Sequence, residues 1–548
     1  MLLPDNAHIQ AFADDVLLIV EGKSREEVER TTNTCLREIY SWGDRVKLRF
    51  APEKTQCISF TTQTLTAEIE MNNVRIPLTT QIKLLGVIID NKLNFIQHSK
   101  YIIGKATKIF KNLCKFVRPT WGIHPENVEC IYRQVITPII TYAAGIWGTA
   151  TRFCSVRRAL RSFQRAFAIR AIRGFHTISA VAADALARFP PLHLVVEEAR
   201  ETHLIKQSGT LGSLPEDIGL YRRVGIRDLL HPAKRVTIDY DTATTQEETD
   251  YLMNPEAPNV FTDGSKHENG DTGSAFVVIM EGLPGGSVTR KFKLCRTSTV
   301  FMAELYAIAQ ALEWLRARNH SLAKIFTDSL SALKAIQDRS NTDHLVNRIH
   351  RDLFLLRSRN QMVDFVWTKA HVGIVGNEIA DAAAKAAASK KTASEVNFFP
   401  LSHAKRLLKA KTLQAWQAEY QSTTQGATTK TFFPLICHIP SALSAFKISF
   451  SLTQILTGHG FHKAYLSKFK IIDDDKCPCD GTTAQDIPHL LRECPIFGKT
   501  RHDYVTACLR NKIDEFDLIQ TSSKEETTTT FLKLVDNIVY SLKTINGT

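Results

Sequence analysis

Val260-Phe261-Thr262-Asp263-Gly264-Ser265 is a short apolar run that ends in an acidic turn, and it decides how the middle of this 548-residue chain folds. The pattern predicts a strand over residues 259–263 with Asp263 at its end. A carboxylate at the edge of an apolar element is costly unless a partner compensates its charge. We therefore expect a compensating group beside Asp263.

Three further acidic residues and one histidine have similar settings in the sequence that follows. They are Glu304 in Met-Ala-Glu-Leu-Tyr-Ala, Asp328 in Ile-Phe-Thr-Asp-Ser, His371 in Thr-Lys-Ala-His-Val-Gly and Asp381 in Gly-Asn-Glu-Ile-Ala-Asp. Taken singly, such residues are more often turn residues, helix caps or solvated side chains. Taken together, the acids would be compensated by a pair of divalent cations, which would make the cluster a phosphodiester-cleaving site.

Hydrophobic periodicity predicts the elements around these residues. The predicted strands are 259–263, 273–280, 288–294, 324–328 and 361–369, and the predicted helices are 299–319, 329–337, 344–357 and 376–389. We summarise their order as βββαβαβα.

That order, with the four acids and the histidine in these places, resembles ribonuclease H type 1 over roughly residues 257–390. The resemblance implies a mixed sheet with the acids converging at one end, and two bound Mg²⁺ ions, which prefer hard oxygen ligands. The metal-holding residues that it implies are Asp263, Glu304, Asp328 and Asp381. His371 lies in a loop with Gly373 and Gly376, where mobility would suit a proton shuttle or an aid to product release.

The chain opens with a second acidic signature, Ala11-Phe12-Ala13-Asp14-Asp15. Two adjacent carboxylates between apolar runs predict a tight hairpin that presents Asp14 and Asp15 together. The box resembles that of reverse transcriptase palms, and residues 83–90 resemble their primer-grip strand. Because polymerase chemistry needs a further metal-binding aspartate on an earlier strand, we expect it to be incomplete in this chain alone. We also expect the chain to be the carboxyl-terminal part of a longer Pol protein or a truncated copy.

Positive charge is concentrated in one region of the chain. The net charge is +13, and residues 101–200 contain 15 lysines and arginines against 5 aspartates and glutamates. A helix predicted at 154–173 carries arginines at near-helical spacing. They are Arg157, Arg158, Arg161, Arg165, Arg170 and Arg173. This pattern is typical of a solvated helix face, and it also suits a phosphate-contacting face such as a polymerase thumb provides.

Near the carboxyl end, Cys477, Cys479, His489 and Cys494 have the spacing Cys-x-Cys-x₉-His-x₄-Cys. Four such ligands in a short stretch fit a closed tetrahedral Zn²⁺ site. The stretch resembles the terminal cysteine-histidine motif of arthropod-type non-long-terminal-repeat retrotransposon Pol proteins. Reduced thiols in a small helical domain are the alternative interpretation.

These patterns predict a multidomain chain of α/β and α+β class, similar to Pol proteins of LINE-type (jockey/I-like) retrotransposons. The expected domains are a partial reverse-transcriptase palm (1–95), a basic helical thumb (96–205), a linker (206–256), a ribonuclease H domain (257–392) and a helical region with the Cys/His module (393–548).

We expect Mg²⁺-dependent hydrolysis of the RNA strand of RNA–DNA hybrids, with Zn²⁺ as a further candidate cofactor. Expected partners are RNA–DNA hybrid and other nucleic acid, with a complete Pol chain as a further candidate. The alternatives are a non-catalytic nucleic-acid-binding remnant, a transposase or integrase, and a polymerase completed by a partner. The sequence has no evident membrane span or signal peptide, and its eleven cysteines show no disulfide framework. We therefore expect the protein in the nucleus or cytoplasm rather than secreted.

Overall fold

The structure, a computed structural model, describes residues 4–60, 67–118, 120–214, 217–282 and 287–546. The chain forms two compact units, the first made of Met1–Arg200 and Lys411–Thr548 and the second of Glu201–Ala410. Within the described ranges, every helix is too short or too polar to cross a membrane.

The described residues up to 400 combine strands and helices, and the named elements from residue 401 onward are helical. The strands are β1 (Ala7–Phe12), β2 (Asp15–Val20), β3 (Cys57–Ile58), β4 (Ile69–Met71), β5 (Val74–Ile76), β6 (Leu78–Thr79), β7 (Gln81–Leu84), β8 (Val87–Asp90), β9 (Gly219–Leu220), β10 (Tyr240–Ala243), β11 (Asn259–Lys266), β12 (Thr272–Ile279), β13 (Ser287–Leu294), β14 (Leu322–Thr327), β15 (Met362–Thr368) and β16 (Phe398–Phe399). The α-helices are α1 (Arg25–Val46), α2 (Ile96–Leu113), α3 (Pro125–Ile131), α4 (Thr137–Thr141), α5 (Ala144–Trp147), α6 (Cys154–Ala171), α7 (Ala180–Leu186), α8 (Leu192–Ser208), α9 (Gln246–Leu252), α10 (Val300–Arg316), α11 (Leu330–Gln337), α12 (His344–Arg357), α13 (Val375–Ala388), α14 (Leu401–Gln421), α15 (Ala427–Phe432), α16 (Ile439–Phe446), α17 (Phe450–Thr457), α18 (Lys463–Lys468), α19 (Ile487–Arg492), α20 (Gly498–Asn511), α21 (Leu518–Thr521) and α22 (Glu525–Asn546).

The second unit is built on a mixed sheet of six strands in the order β10-β15-β14-β11-β12-β13. The first four strands run parallel, and β12 and β13 continue the sheet antiparallel. Side chains alternate between the faces of each strand. Val260 accordingly packs with α10 and α12 on one face. Phe261 packs on the other face with Ala380 of α13 and with Ile374, which directly precedes that helix. The mixed sheet predicted from the sequence is confirmed.

Two features of this unit differ from the prediction. The summary order βββαβαβα has one helix too few, although the predicted helices 329–337 and 344–357 are both present, as α11 and α12. Residues 206–256 are not simply a linker, since β10 pairs in parallel with β15 from Tyr240↔Phe365 to Ala243↔Thr368. Polar residues on an edge strand face solvent, which is why β10 lacks the apolar pattern of the inner strands.

The first unit has one large core that draws on both of its segments. Phe167 of α6 and Phe189 pack in the same cluster as Phe446 and Phe531, which come from beyond residue 411. The two segments also bond directly, since the Thr453 hydroxyl donates to the carbonyl oxygen of Ile172 at 2.5 Å. Regions 96–205 and 393–548, expected to be separate domains, therefore share a core in the structure.

The amino-terminal part of the first unit contains the predicted acidic hairpin. Strands β1 and β2 pair antiparallel from Ala7↔Val20 to Phe12↔Asp15, so Ala13 and Asp14 form the turn. Ala13 has the left-handed φ of +54° that such tight turns require. In the described part of residues 4–90, the strands pair only in twos, so the structure contains no single palm sheet there.

Candidate active site

Neighbouring parallel strands bring Asp263 and Asp328 together. The register of β11 and β14 places Thr262 opposite Thr327. Asp263 is the next residue of β11, and Asp328 directly follows the end of β14. The Thr262 hydroxyl donates to the carbonyl oxygen of Phe326 at 3.3 Å, which fixes that register beside the site. Two carboxylates at the same edge of a sheet are therefore a direct result of strand pairing.

The third carboxylate comes from the helix that crosses this edge. Thr299 caps α10 by accepting from the amide of Met302, which starts the helix so that Glu304 lies one turn in. A Cβ atom on Gly264 would lie 2.4 Å from the Glu304 backbone nitrogen, so only glycine permits this approach of β11 to α10. Carboxylate oxygens of Asp263, Glu304 and Asp328 lie within 4.8 Å of one another.

Burial makes this arrangement of charges unfavourable without a cation. Burial, followed by the charges of Asp328 and Asp381, raises the pKa of Asp263 to about 7. Burial and the neighbouring carboxylates also raise the pKa of Glu304 well above its ordinary value. Oδ2 of Asp263 and Oε2 of Glu304 are buried and have no hydrogen-bond partner among the described residues. Unpartnered hard oxygens at this spacing fit a divalent cation such as Mg²⁺.

Asp381 and His371 belong to an adjacent group that also includes Glu378. Ligand atoms of these three side chains lie within 4.8 Å of one another. His371 is exposed and has a left-handed φ of +54°. Asp381 affects the first cluster through its charge, because it is among the causes of the raised pKa of Asp263. The structure therefore divides the five predicted residues between two neighbouring groups that interact through their charges.

Sequence reasoning missed three residues that bond within or beside these groups. Glu378 completes the second group, and the Asn377 amide donates to Oδ2 of Asp328 at 3.4 Å. The Gly-Asn-Glu stretch that contains both is visible in the sequence. Gln246 of α9 accepts from the backbone amide of Val375, at the start of α13, at 2.8 Å. No sequence signal identifies Gln246, because its partner is a backbone group far along the chain.

The four Cys/His residues also converge, in the first unit. Cys477 Sγ lies 3.8 Å from Cys494 Sγ, and Cys479 Sγ lies 3.3 Å from His489 Nε2. All four ligand atoms lie within 4.8 Å of one another. Asp486 accepts from the His489 amide at 2.9 Å and so caps α19, which carries the histidine. Three sulfurs and one imidazole so arranged fit a structural Zn²⁺ site.

The six arginines predicted to form one basic face have different surroundings. Arg157, Arg158 and Arg161 are exposed along α6. Arg165 and Arg170 are partly buried, and Arg165 donates to the carbonyl oxygen of Ile178 at 2.8 Å. Arg173 follows the helix and has a buried, unpartnered Nε. Of these six side chains, the first three are therefore the most exposed to solvent.

Asp14 and Asp15 are both exposed on the β1–β2 hairpin. They lie at the turn of the hairpin that the box predicts. No third carboxylate joins them in a possible metal-binding group among the described residues.

Comparison with known proteins finds one family model and several similar retrotransposon proteins. A family model described as RNase H matches residues 255–389. A retrovirus-related Pol polyprotein from the type-1 retrotransposable element R1 of Nasonia vitripennis is 24% identical over 196 residues, covering 34% of this chain and 58% of the relative. An R1 Pol polyprotein of Bradysia coprophila is 27% identical over 175 residues, covering 31% of this chain and 17% of the relative.

A probable RNA-directed DNA polymerase from transposon BS of Drosophila melanogaster is 28% identical over 152 residues, covering 27% of this chain and 17% of the relative. The matched segments thus span between about a sixth and somewhat over half of these three relatives.

Proposed function

We propose that this chain, a relative of non-long-terminal-repeat retrotransposon Pol proteins with a ribonuclease H domain, hydrolyses the RNA strand of RNA–DNA hybrids. The observation that carries the proposal is the convergence of Asp263, Glu304 and Asp328, which come from three different elements, within 4.8 Å. A purely structural carboxylate would have hydrogen-bond partners, whereas Asp263 and Glu304 each have a buried oxygen with no partner in the described part of the chain.

Different side chains of the protein would have different roles in such a reaction. Asp263, Glu304 and Asp328 would hold divalent cations, with Asp381 on the adjacent side. Bound Mg²⁺ ions supply activation of the attacking water and stabilisation of the leaving 3′ oxygen. Asn377 orients the Asp328 carboxylate through its amide. His371, exposed in its loop beside Asp381, is placed to carry a proton to or from solvent or to aid product release.

Selectivity for a hybrid would rest on the sugar and phosphate groups rather than on the bases. The 2′-hydroxyl distinguishes RNA from DNA, and phosphate contacts carry no sequence information directly. The exposed arginines 157, 158 and 161 support a further nucleic-acid contact in the first unit. Polymerase activity from this chain alone is not part of the proposal, because Asp14 and Asp15 lack a third carboxylate among the described residues.

A structural Zn²⁺ site is the second element of the proposal. Cys477 and Cys494 are fully buried, and with Cys479 and His489 they present four ligand atoms in one cluster. Bound zinc would stabilise the fold around α19 rather than take part in hydrolysis.

The test is cleavage of a hybrid labelled on each strand by the purified chain, with Mg²⁺ and with EDTA. Cleavage of the RNA strand alone, dependent on Mg²⁺ and lost in Asp328→Asn, is the expected result. Binding of the hybrid without cleavage would instead identify a nucleic-acid-binding remnant, and joining of DNA ends would identify a transposase-like activity.

A further inference from the structure

The first half of α14 is a basic segment beyond residues 255–389, which the ribonuclease H family model matches. From residue 401 to residue 410 it has one histidine, three lysines or arginines and no acidic residue. They are His403, Lys405, Arg406 and Lys409. Ala404 and Leu408 are buried against Phe399, so this half of the helix has a packed side and an exposed basic side.

Hydrogen bonds fix the start of α14 beside the catalytic helix. The Cys295 amide donates to the carbonyl oxygen of Val396 at 3.3 Å, and the Thr297 hydroxyl donates to that of Phe398 at 3.0 Å. Residues 295–298 lead directly into α10, the helix that carries Glu304. The basic helix therefore begins next to the loop that positions a candidate metal ligand.

Lys266 belongs to the same neighbourhood and comes from the catalytic strand. It follows Asp263 by three residues on β11. Its Nζ donates to the carbonyl oxygen of Ser298 at 2.6 Å and to that of Arg296 at 2.9 Å. Lys266 is thus held at the loop to which the segment before α14 is bonded.

Lys266 and Arg406 are close enough for their charges to interact, and His403 is a neutral hydrogen-bond acceptor beside them. Arg406 Nη2 donates to His403 Nδ1 at 3.1 Å. Burial, followed by the charge of Arg406, lowers the pKa of both Lys266 and His403. Among the described residues, no carboxylate forms an ion pair with Lys266, Arg406 or Lys409. Nearby Lys293 and Arg296, in contrast, both pair with Asp271.

We propose that Lys266, Arg406 and Lys409, together with the neutral side chain of His403, form a basic surface that contacts the phosphodiester backbone of the hybrid. This proposal rests on the proposed function and adds to it a contact that extends beyond the matched residues 255–389. Repeated phosphate groups suit it because each can pair with one cation, and neutralising them releases counterions from the nucleic acid. The fixed position of Lys266 gives one end of the surface, and the exposed side of α14 extends it.

The experiment measures hybrid binding by the full-length chain in an Asp328→Asn background, with EDTA present, so that cleavage is not required. The test variant carries Arg406→Gln and Lys409→Gln. The control carries Arg351→Gln, an exposed arginine of α12. Dissociation constants are compared across a series of salt concentrations, and circular dichroism melts establish that each variant is folded. Arg406→Lys is the second variant, which keeps the charge.

We expect the double substitution to weaken binding by about 3–10-fold and to reduce the slope of log Kd against log salt by about 1–2, as loss of one or two phosphate contacts predicts. Arg406→Lys should retain most of the affinity, and Arg351→Gln should match the parent. Unchanged affinity and slope in the double variant would overturn the proposal. The proposal would also be overturned if the double substitution weakened tight binding of an acidic polypeptide but left hybrid binding unchanged. Because binding is measured without cleavage, failure of the chain to cut RNA would leave this test intact.

Discussion

Lys385 Nζ lies 2.6 Å from Oδ2 of Asp381, one turn away on α13. The hydrogen bond to Asp381 raises the pKa of Lys385, and the charge of Lys385 in turn partly offsets the raised pKa of Asp263. A half-exposed ammonium group thus partly balances the carboxylate cluster. A divalent cation that used Asp381 would have to compete with it.

Substitution of Lys385 by Gln should therefore strengthen the response to Mg²⁺. Without the ammonium group, carboxylate repulsion increases, so the melting temperature in EDTA should fall and the rise on adding Mg²⁺ should grow. Thermal melts across a Mg²⁺ titration measure both effects. Lys334→Gln, an exposed lysine of α11, is the control, and equal behaviour of the two variants would contradict the prediction.

Substitution of Asp263 by Asn should stabilise the metal-free protein at alkaline pH. An acid whose pKa is raised on folding, here from 3.8 to about 7, makes the free energy of unfolding fall as the pH rises through that window. The Asn side chain carries no such charge. In EDTA at pH 8 the variant should melt a few degrees above the parent, and the difference should shrink at pH 5. A larger difference at pH 5 than at pH 8 would be the wrong sign.

Gly273 should be intolerant of even a methyl group. A Cβ atom there would lie 2.2 Å from the carbonyl oxygen of Ala384 and 2.3 Å from the amide nitrogen of Ala388. Both are backbone atoms of α13. We expect Gly273→Ala to cost about 1–3 kcal/mol in the free energy of unfolding, as overpacking does. Gly212→Ala, in the same unit, is the control, because an added methyl group there would meet no atom within 4 Å. Urea unfolding of both variants measures the difference.

Removal of one thiol of the Cys/His cluster should release zinc and destabilise the first unit. We expect about one Zn²⁺ per purified chain, lost in Cys494→Ser, with a lower melting temperature. Cys437→Ser, at an exposed cysteine outside the cluster, should change neither. Elemental analysis and thermal melts provide the two measurements. Equal zinc content in both variants would exclude Cys494 as a ligand.

The arginines of α6 should separate into binding and structural residues. Arg157→Gln with Arg158→Gln should weaken hybrid binding in a salt-dependent manner and leave the melting temperature unchanged, because both side chains are exposed. Arg165→Gln should lower the melting temperature, because it removes the donor to the carbonyl oxygen of Ile178. Binding and melting measured on the same preparations distinguish the two roles.

Local pattern was enough to predict what lies within one strand or helix. The predicted helix 344–357 has the bounds of α12. The strand that was predicted to end at Asp263 ends instead at Lys266. The convergence of Asp263, Glu304 and Asp328 was predicted through a resemblance whose motifs each span a few residues. Pairings between distant segments were missed. Gln246 bonds a backbone amide, and β10 is a polar edge strand, so neither has a periodic signal.

The shared core of the first unit has a consequence for how the protein is made. Its two segments are separated in sequence by the whole second unit. On a ribosome, Phe167 and its neighbours would emerge long before Phe446 and Phe531, which complete their packing. The second unit can therefore fold before the second segment of the first unit has been synthesised. A chain that stopped after residue 410 would retain the whole second unit but expose the incomplete apolar core of the first, which makes it a candidate for chaperone capture or degradation.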